Sequence, residues 1–142
     1  MPFEKTLTVV VKSPYEEKSI NVTEVKLEPE KVEVDVNKIG RAHYYIYLSD
    51  SVPAYNVIEE IDGHGRPGND ATLLTWIITE ILKLRMSVSD PDVFSVESYE
   101  VAWYGGRNAI VVVIEVKGKS PGTAYLRIWL ENTGFTVKYR RT

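Results

Sequence analysis

The sequence predicts one α+β domain over residues 1–142: antiparallel strands first, a short and a long helix in the middle, then four antiparallel strands, with the long helix packed on the sheet. Three observations carry this expectation. Apolar residues alternate with period two up to Leu48, a helical period replaces the alternation from Pro53 to Leu84, and alternation returns after the turn-forming "SDPD". A chain of 142 residues is of ordinary size for one domain and buries a core without metals or disulfides as staples.

The elements follow in order. In "FEKTLTVVV" the residues Phe3, Leu7, Val9 and Val11 share a face, the mark of a half-buried strand. Ile20 and Val22 open a second strand whose phase changes at Glu24 before Val25 and Leu27, so a bulge is expected there. "KVEVDV" aligns Val32, Val34 and Val36, and "AHYYIYLS" supplies a fourth strand rich in aromatics. In "SVPAYNVIEEIDG" the residues Ala54, Val57, Ile58 and Ile61 fall at helical spacing, Pro53 suits a first turn and Gly63 a stop, which gives the short helix. The long helix starts at a cap, Asn69 or Asp70, and carries Leu73, Leu74, Ile77, Ile78, Ile81, Leu82 and Leu84 on a wide apolar arc. Only Thr72, Thr75, Thr79 and Lys83 make a polar stripe, so the helix should lie deep.

Turn chemistry proposes a register for the last four strands. A two-residue turn at Gly105-Gly106 sets Val101 opposite Ile110 and Tyr99 opposite Val112. A loop through "KGKSPG" sets Ile114 beside Tyr125, Val112 beside Arg127 and Ile110 beside Trp129. A turn at Thr133-Gly134 pairs Leu130 with Val137 and Ile128 with Tyr139. One face of this sheet then carries Ala109, Val111, Val113, Leu126, Ile128, Leu130, Val137 and Tyr139. The other carries Tyr99, Val101, Trp103, Ile110, Val112, Ile114, Tyr125 and Trp129. The four aromatics of the second face alone offer about 600–1,000 Å², more than the apolar patch of about 300–600 Å² found on a typical monomer. The helix can cover one face, and the N-terminal strands, a second copy or a ligand must cover the other.

Composition narrows the function classes. No cysteine is present, which excludes disulfides, thiol nucleophiles and cysteine-ligated metals. Glutamine is absent too, beside 14 Glu and 10 Lys, the compositional direction of hyperthermophile proteins. No apolar run approaches the roughly 20 residues that cross a bilayer, and the opening "MPFEKTLTVVVKSP" is unlike a signal peptide, so a cytoplasmic protein with no membrane partner is expected. The net charge of −3 is uneven: residues 1–62 carry 12 acids and 7 bases, whereas Gly105 to Thr142 carry 7 bases and 2 acids. Such halves either complement each other within one fold or leave a basic end for polyanions.

Two stretches can carry binding chemistry. "DGHGRPGND" brings Gly63, His64, Gly65, Arg66, Gly68 and Asn69 to the expected N-terminus of the long helix, where free backbone N–H groups favour an anion. It matches neither the P-loop nor the dinucleotide pattern, and a plain connector between two helices explains it more simply. Tyr125, Arg127, Trp129, Lys138 and Arg140 interleave aromatics with bases, as single-stranded nucleic acid requires, and the register above sets Arg127 across from Arg140. Asp62, His64 and Asp70 make too thin a set for a metal, with His43 in a strand, so neither metal nor cofactor is expected. Glu100 and Glu115 interrupt apolar strands and are expected at a rim or in ion pairs. The leading functional expectation is a non-enzymatic binding or assembly module, self-associating as a dimer, with a small-anion site at residues 63–69. The alternative is a nucleic-acid or nucleotide binder using the C-terminal strands. A hydrolase or transferase comes third, without a nameable nucleophile and base.

Overall fold

A computed structural model describes residues 2–141. Strands account for 49% of the chain and helix for 13%, so the architecture is mostly β rather than a long helix laid on a sheet. The strands are β1 (Tyr15–Glu28), β2 (Ile39–Leu48), β3 (Ile58–Ile61), β4 (His64–Gly65), β5 (Leu84–Val88), β6 (Phe94–Tyr104), β7 (Ala109–Gly118), β8 (Leu126–Leu130) and β9 (Gly134–Arg140). Seven of them form one curled antiparallel sheet in the order β4-β3-β9-β1-β2-β7-β6, and β5 and β8 pair in a separate ribbon.

The long helix of the sequence reading is a short one. It opens as a 3-10 turn at Asp70–Thr72, is α-helical over Leu73–Trp76 (α1) and widens into a π-turn at Ile77–Ile81. Asn69 caps it, its side-chain oxygen accepting from the Thr72 N–H at 3.1 Å. Its end is fixed from outside. Lys83 takes a left-handed conformation (φ 54), and Asn132 donates its backbone N–H to the Leu82 carbonyl at 3.0 Å and its amide to the Ile81 carbonyl at 2.9 Å. Leu84, read as the last residue of the apolar arc, therefore begins β5. The expectation of depth holds: Ile77, Ile78 and Leu82 are fully buried in the hollow of the curled sheet, against Ile46, Ile110, Val112, Ile114 and Val137.

The expected short helix is a hairpin. Only Tyr55–Val57 makes a helical turn, and Ile58–Ile61 then runs as β3. Asp62 and Gly63 both take positive φ (50 and 78), the requirement of a two-residue hairpin turn, and Asp-Gly is a strong signal for it. Helical spacing of Val57, Ile58 and Ile61 masked that signal.

Three expected strand pairings also change. β8 pairs with β5 instead of β7, setting Trp129 beside Arg85 and Arg127 beside Ser87. β9 pairs with β1 and β3 instead of β8, so Val137 faces Lys18 and Ile61, and Arg140 faces Tyr15. Arg127 and Arg140 are thus not neighbours. Between β6 and β7 the loop is longer than two residues: Gly105–Arg107 forms a 3-10 turn and Asn108 supplies the left-handed residue (φ 49). Val101 therefore faces Val112, and Tyr99 faces Ile114. This shift of two residues leaves the side chains of β6 and β7 on their expected faces. Hence Val101, Ile110, Val112 and Ile114 share the inner side, as read from the sequence. Leu126, Ile128, Leu130 and Val137, expected on the opposite face, instead pack in one core with Ile110, Val112 and Ile114. The N-terminal strands do not cover that side as a second layer; they extend the same sheet, which closes over its own core.

The bulge falls where the phase change puts it, between Val22 and Glu24. The other two N-terminal strands do not enter the sheet. Residues 4–13 have no strand partner among the described residues, and the strap carrying Val32, Val34 and Val36 makes a single bridge, Val36 to Gly118.

Candidate functional site

β1 is long enough to be flanked differently along its length. From Tyr15 to Asn21 it pairs with β9, and from Val22 to Glu28 with β2. The Val22 N–H still reaches the Thr133 carbonyl at 2.7 Å, but beyond it β9 has turned away into β8. Among the described residues no strand lies on the β9 side of Glu24 to Glu28, and β8 pairs on one side only. Two unpaired backbone edges thus bound one gap.

The gap has an apolar floor. A cleft of about 810 Å³ is lined by Val25, Leu27, Tyr44, Leu126 and Ile128, with Lys26, Glu28, Pro29 and Glu30 at its margin. It merges through Leu27, Pro29, Glu30, Leu126 and Ile128 with a second cleft of about 780 Å³ beneath the strap, where Val34, Val36, Ala42, Phe94, Ile114 and Val116 contribute. Leu27, Val116, Leu126 and Ile128 pack on the main core, so the cleft is an opening into that core rather than a surface dent. Strap and sheet fit closely: a Cβ on Gly40 would lie 2.5 Å from Val32 Cγ1, and one on Gly118 would lie 2.7 Å from the Asp35 carbonyl oxygen.

The segment at residues 62–69 is organised around its own side chains. Arg66 donates to the Tyr55 carbonyl at 2.8 Å and stacks on the Tyr55 ring at 4.6 Å, while the Tyr55 hydroxyl donates to the Pro67 carbonyl. His64 stands edge-on to Trp76 at 6.4 Å. Asn69 spends its carbonyl oxygen on the helix cap. Gly63 and Gly65 belong to the β3–β4 hairpin, and Gly68 has open space where a side chain would stand. The Asp62 carboxylate accepts from the Thr136 N–H at 2.7 Å, tying the hairpin to β9.

The basic and aromatic residues of the C-terminal strands divide between two sheets. Tyr125, Arg127 and Trp129 lie on or beside β8, with Tyr125 72% exposed and Arg127 stacked on Trp129 at 4.8 Å. Lys138 and Arg140 lie on β9, where Lys138 sits 5.1 Å from the Tyr15 ring. Ion pairs join the two halves of the chain: Arg41 with Glu115 at 2.9 Å, Arg107 with Glu28 at 3.6 Å and Arg141 with Glu16 at 3.0 Å. Two of these pairs, Arg107 with Glu28 and Arg141 with Glu16, join the basic end of the chain to its acidic beginning. Glu131 pairs with Arg85 at 3.1 Å. Glu100 is an exposed residue of edge strand β6.

One cluster escaped the sequence reading. His43, Tyr45 and Tyr47 point to the outer side of β2, with ring centroids 6.2 and 6.3 Å apart. Arg107 lies over Tyr45 at 4.9 Å and Tyr104 at 5.3 Å and donates to the Tyr47 hydroxyl at 3.3 Å, which raises the pKa of the guanidinium above its ordinary value. Alternation within "HYYIYL" was the available signal, since it sends His43, Tyr45 and Tyr47 to the side opposite Tyr44, Ile46 and Leu48. At the other end of the sheet the Tyr139 hydroxyl donates to Glu16 at 3.0 Å, and this bond, with the charge of Glu16, raises the phenol's pKa.

No protein-family model, curated protein or solved structure matches this chain.

Proposed function

We propose that this chain is a non-enzymatic assembly module that self-associates, and that residues 2–14 make the contact. One observation carries the reading. Phe3, Leu7, Val9 and Val11 are between 69% and 95% exposed, although their alternation is that of a half-buried strand. Extended apolar backbone without a partner is the template on which strands of different chains pair.

Magnitudes favour reciprocal exchange over a single insertion. Burying a Val, Leu or Phe side chain contributes about 1.5–3 kcal/mol, so the four on one face, Phe3, Leu7, Val9 and Val11, supply about 6–12 kcal/mol. Association costs about 4–15 kcal/mol in lost translational and rotational freedom. One segment barely offsets that loss; two segments per contact exceed it. A closed pair in which each copy lends its segment to the other is the symmetric solution.

Size-exclusion chromatography with light scattering tests the reading. The full chain is expected at twice the 16.1 kDa of one copy, and a variant lacking residues 2–13 at the mass of one copy. A full chain that stays at single-copy mass at high concentration overturns the proposal.

A further inference from the structure

The geometry points to a donor-strand contact: the Leu7–Val11 stretch of one copy fills the gap between β1 and β8 of a second copy. The inference rests on self-association and names the acceptor site. Three observations, each independent of the others, meet in it.

The gap has the form of a missing strand. Its walls are the unpaired edge of β1 from Glu24 to Glu28 and the unpaired edge of β8, and its floor is apolar, with Leu27, Tyr44, Leu126 and Ile128 below. An inserted strand finds backbone partners on both sides, where an ordinary sheet edge offers only one.

The donor has the matching pattern. Leu7, Val9 and Val11 alternate with Thr6, Thr8 and Val10. A strand seated here sends the first set down to the core and the second outward, as one-sided burial demands. Charge agrees: the margin carries Glu28, Glu30 and Glu33 against Lys26 and Lys31, and the segment carries Lys5 and Lys12 against Glu4.

Reach disfavours the same copy as donor. Pro14 is pinned at the far end of β1, its carbonyl accepting from the Arg141 N–H at 2.9 Å. From there the gap begins ten residues along the strand at Glu24, about 33 Å away at roughly 3.3 Å per residue. Fully extended, the chain carries Leu7 only about 25 Å from Pro14, Val9 about 18 Å and Val11 about 11 Å, at up to roughly 3.6 Å per residue. Measured along β1, the apolar stretch therefore falls short of its own gap, which favours the gap of another copy.

The absence of cysteine makes the contact directly testable. Val9→Cys is made in one copy and Val25→Cys in another, each carrying a tag of different size, and the two are co-expressed and oxidised. Both positions are exposed, Val25 by 43%, so neither change threatens folding. A mixed disulfide is expected at least tenfold above that of a control pairing Val9→Cys with Glu60→Cys on β3. Mass spectrometry identifies the bridge. A mixed product no stronger than the control, in a protein that light scattering shows to be a dimer, overturns the acceptor site while self-association stands. A full chain at single-copy mass overturns both.

Discussion

Residues 3–11 and strand β2 carry the same message in sequence and meet opposite fates. Both alternate, both are rich in β-branched or aromatic residues, and neither contains glycine or proline between Phe3 and Val11 or between Arg41 and Leu48. β2 lies between β1 and β7, with Tyr44, Ile46 and Leu48 buried, whereas the apolar residues of the leading segment are exposed, with no strand beside them among the described residues. Period-two patterning specifies an extended backbone with one apolar face. It leaves open which edge, and which copy, that face will meet.

The contrast breaks most sharply at β2. Ile46→Ala removes a fully buried side chain from the centre of the core and is expected to lower stability by about 2–5 kcal/mol, read as a shift in the urea midpoint. A midpoint shifted by less than about 1 kcal/mol would mean that the hollow of the sheet is loosely packed.

The strap carrying Val32, Val34 and Val36 stands between the two cases, alternating like a strand but held by one bridge and by close packing on glycines. Gly118→Ala is expected to cost about 1–3 kcal/mol, because its methyl would press against the Asp35 carbonyl oxygen at 2.7 Å, which backbone movement alone relieves. Thermal unfolding checks this, and an unchanged midpoint contradicts the docking of the strap. Smallest of all is Val9→Ala, expected to change the stability of the dissociated chain by no more than about 0.5 kcal/mol. The same substitution should weaken dimerisation in sedimentation equilibrium.

Local chemistry was the legible part of the fold. The phase change at Glu24 located the bulge, the pair Asn69 and Asp70 narrowed the cap to two residues, and the wide arc of Leu73 to Leu82 gave the depth of the helix. The faces of β6 and β7 survived an error in turn length because the shift was even. Pairing across long separations was not legible. Nothing in "YLRIWLENTGFTVKYR" distinguishes a hairpin of β8 with β9 from two strands that part at Asn132, since both satisfy the alternation. The parting is set by distant groups, with Asn132 capping the helix and Gly134 lying 2.5 Å, at its would-be Cβ, from the Asn21 carboxamide oxygen. Asp62-Gly63 was legible but lost to the helical spacing before it. Of the proposed contact, the donor was readable as a strand, while the acceptor exists only once β1 and β8 are folded and diverging.

Amide hydrogen exchange on the full chain, followed over a dilution series, tests the central claim most directly. Protection is expected at Leu7–Val11 together with Glu24–Glu28 and Leu126–Leu130 at high concentration, and loss at all three on dilution, while Ile110–Ile114 stays protected throughout. Rapid exchange of Leu7–Val11 at every concentration, with Glu24–Glu28 unaffected by dilution, would contradict it.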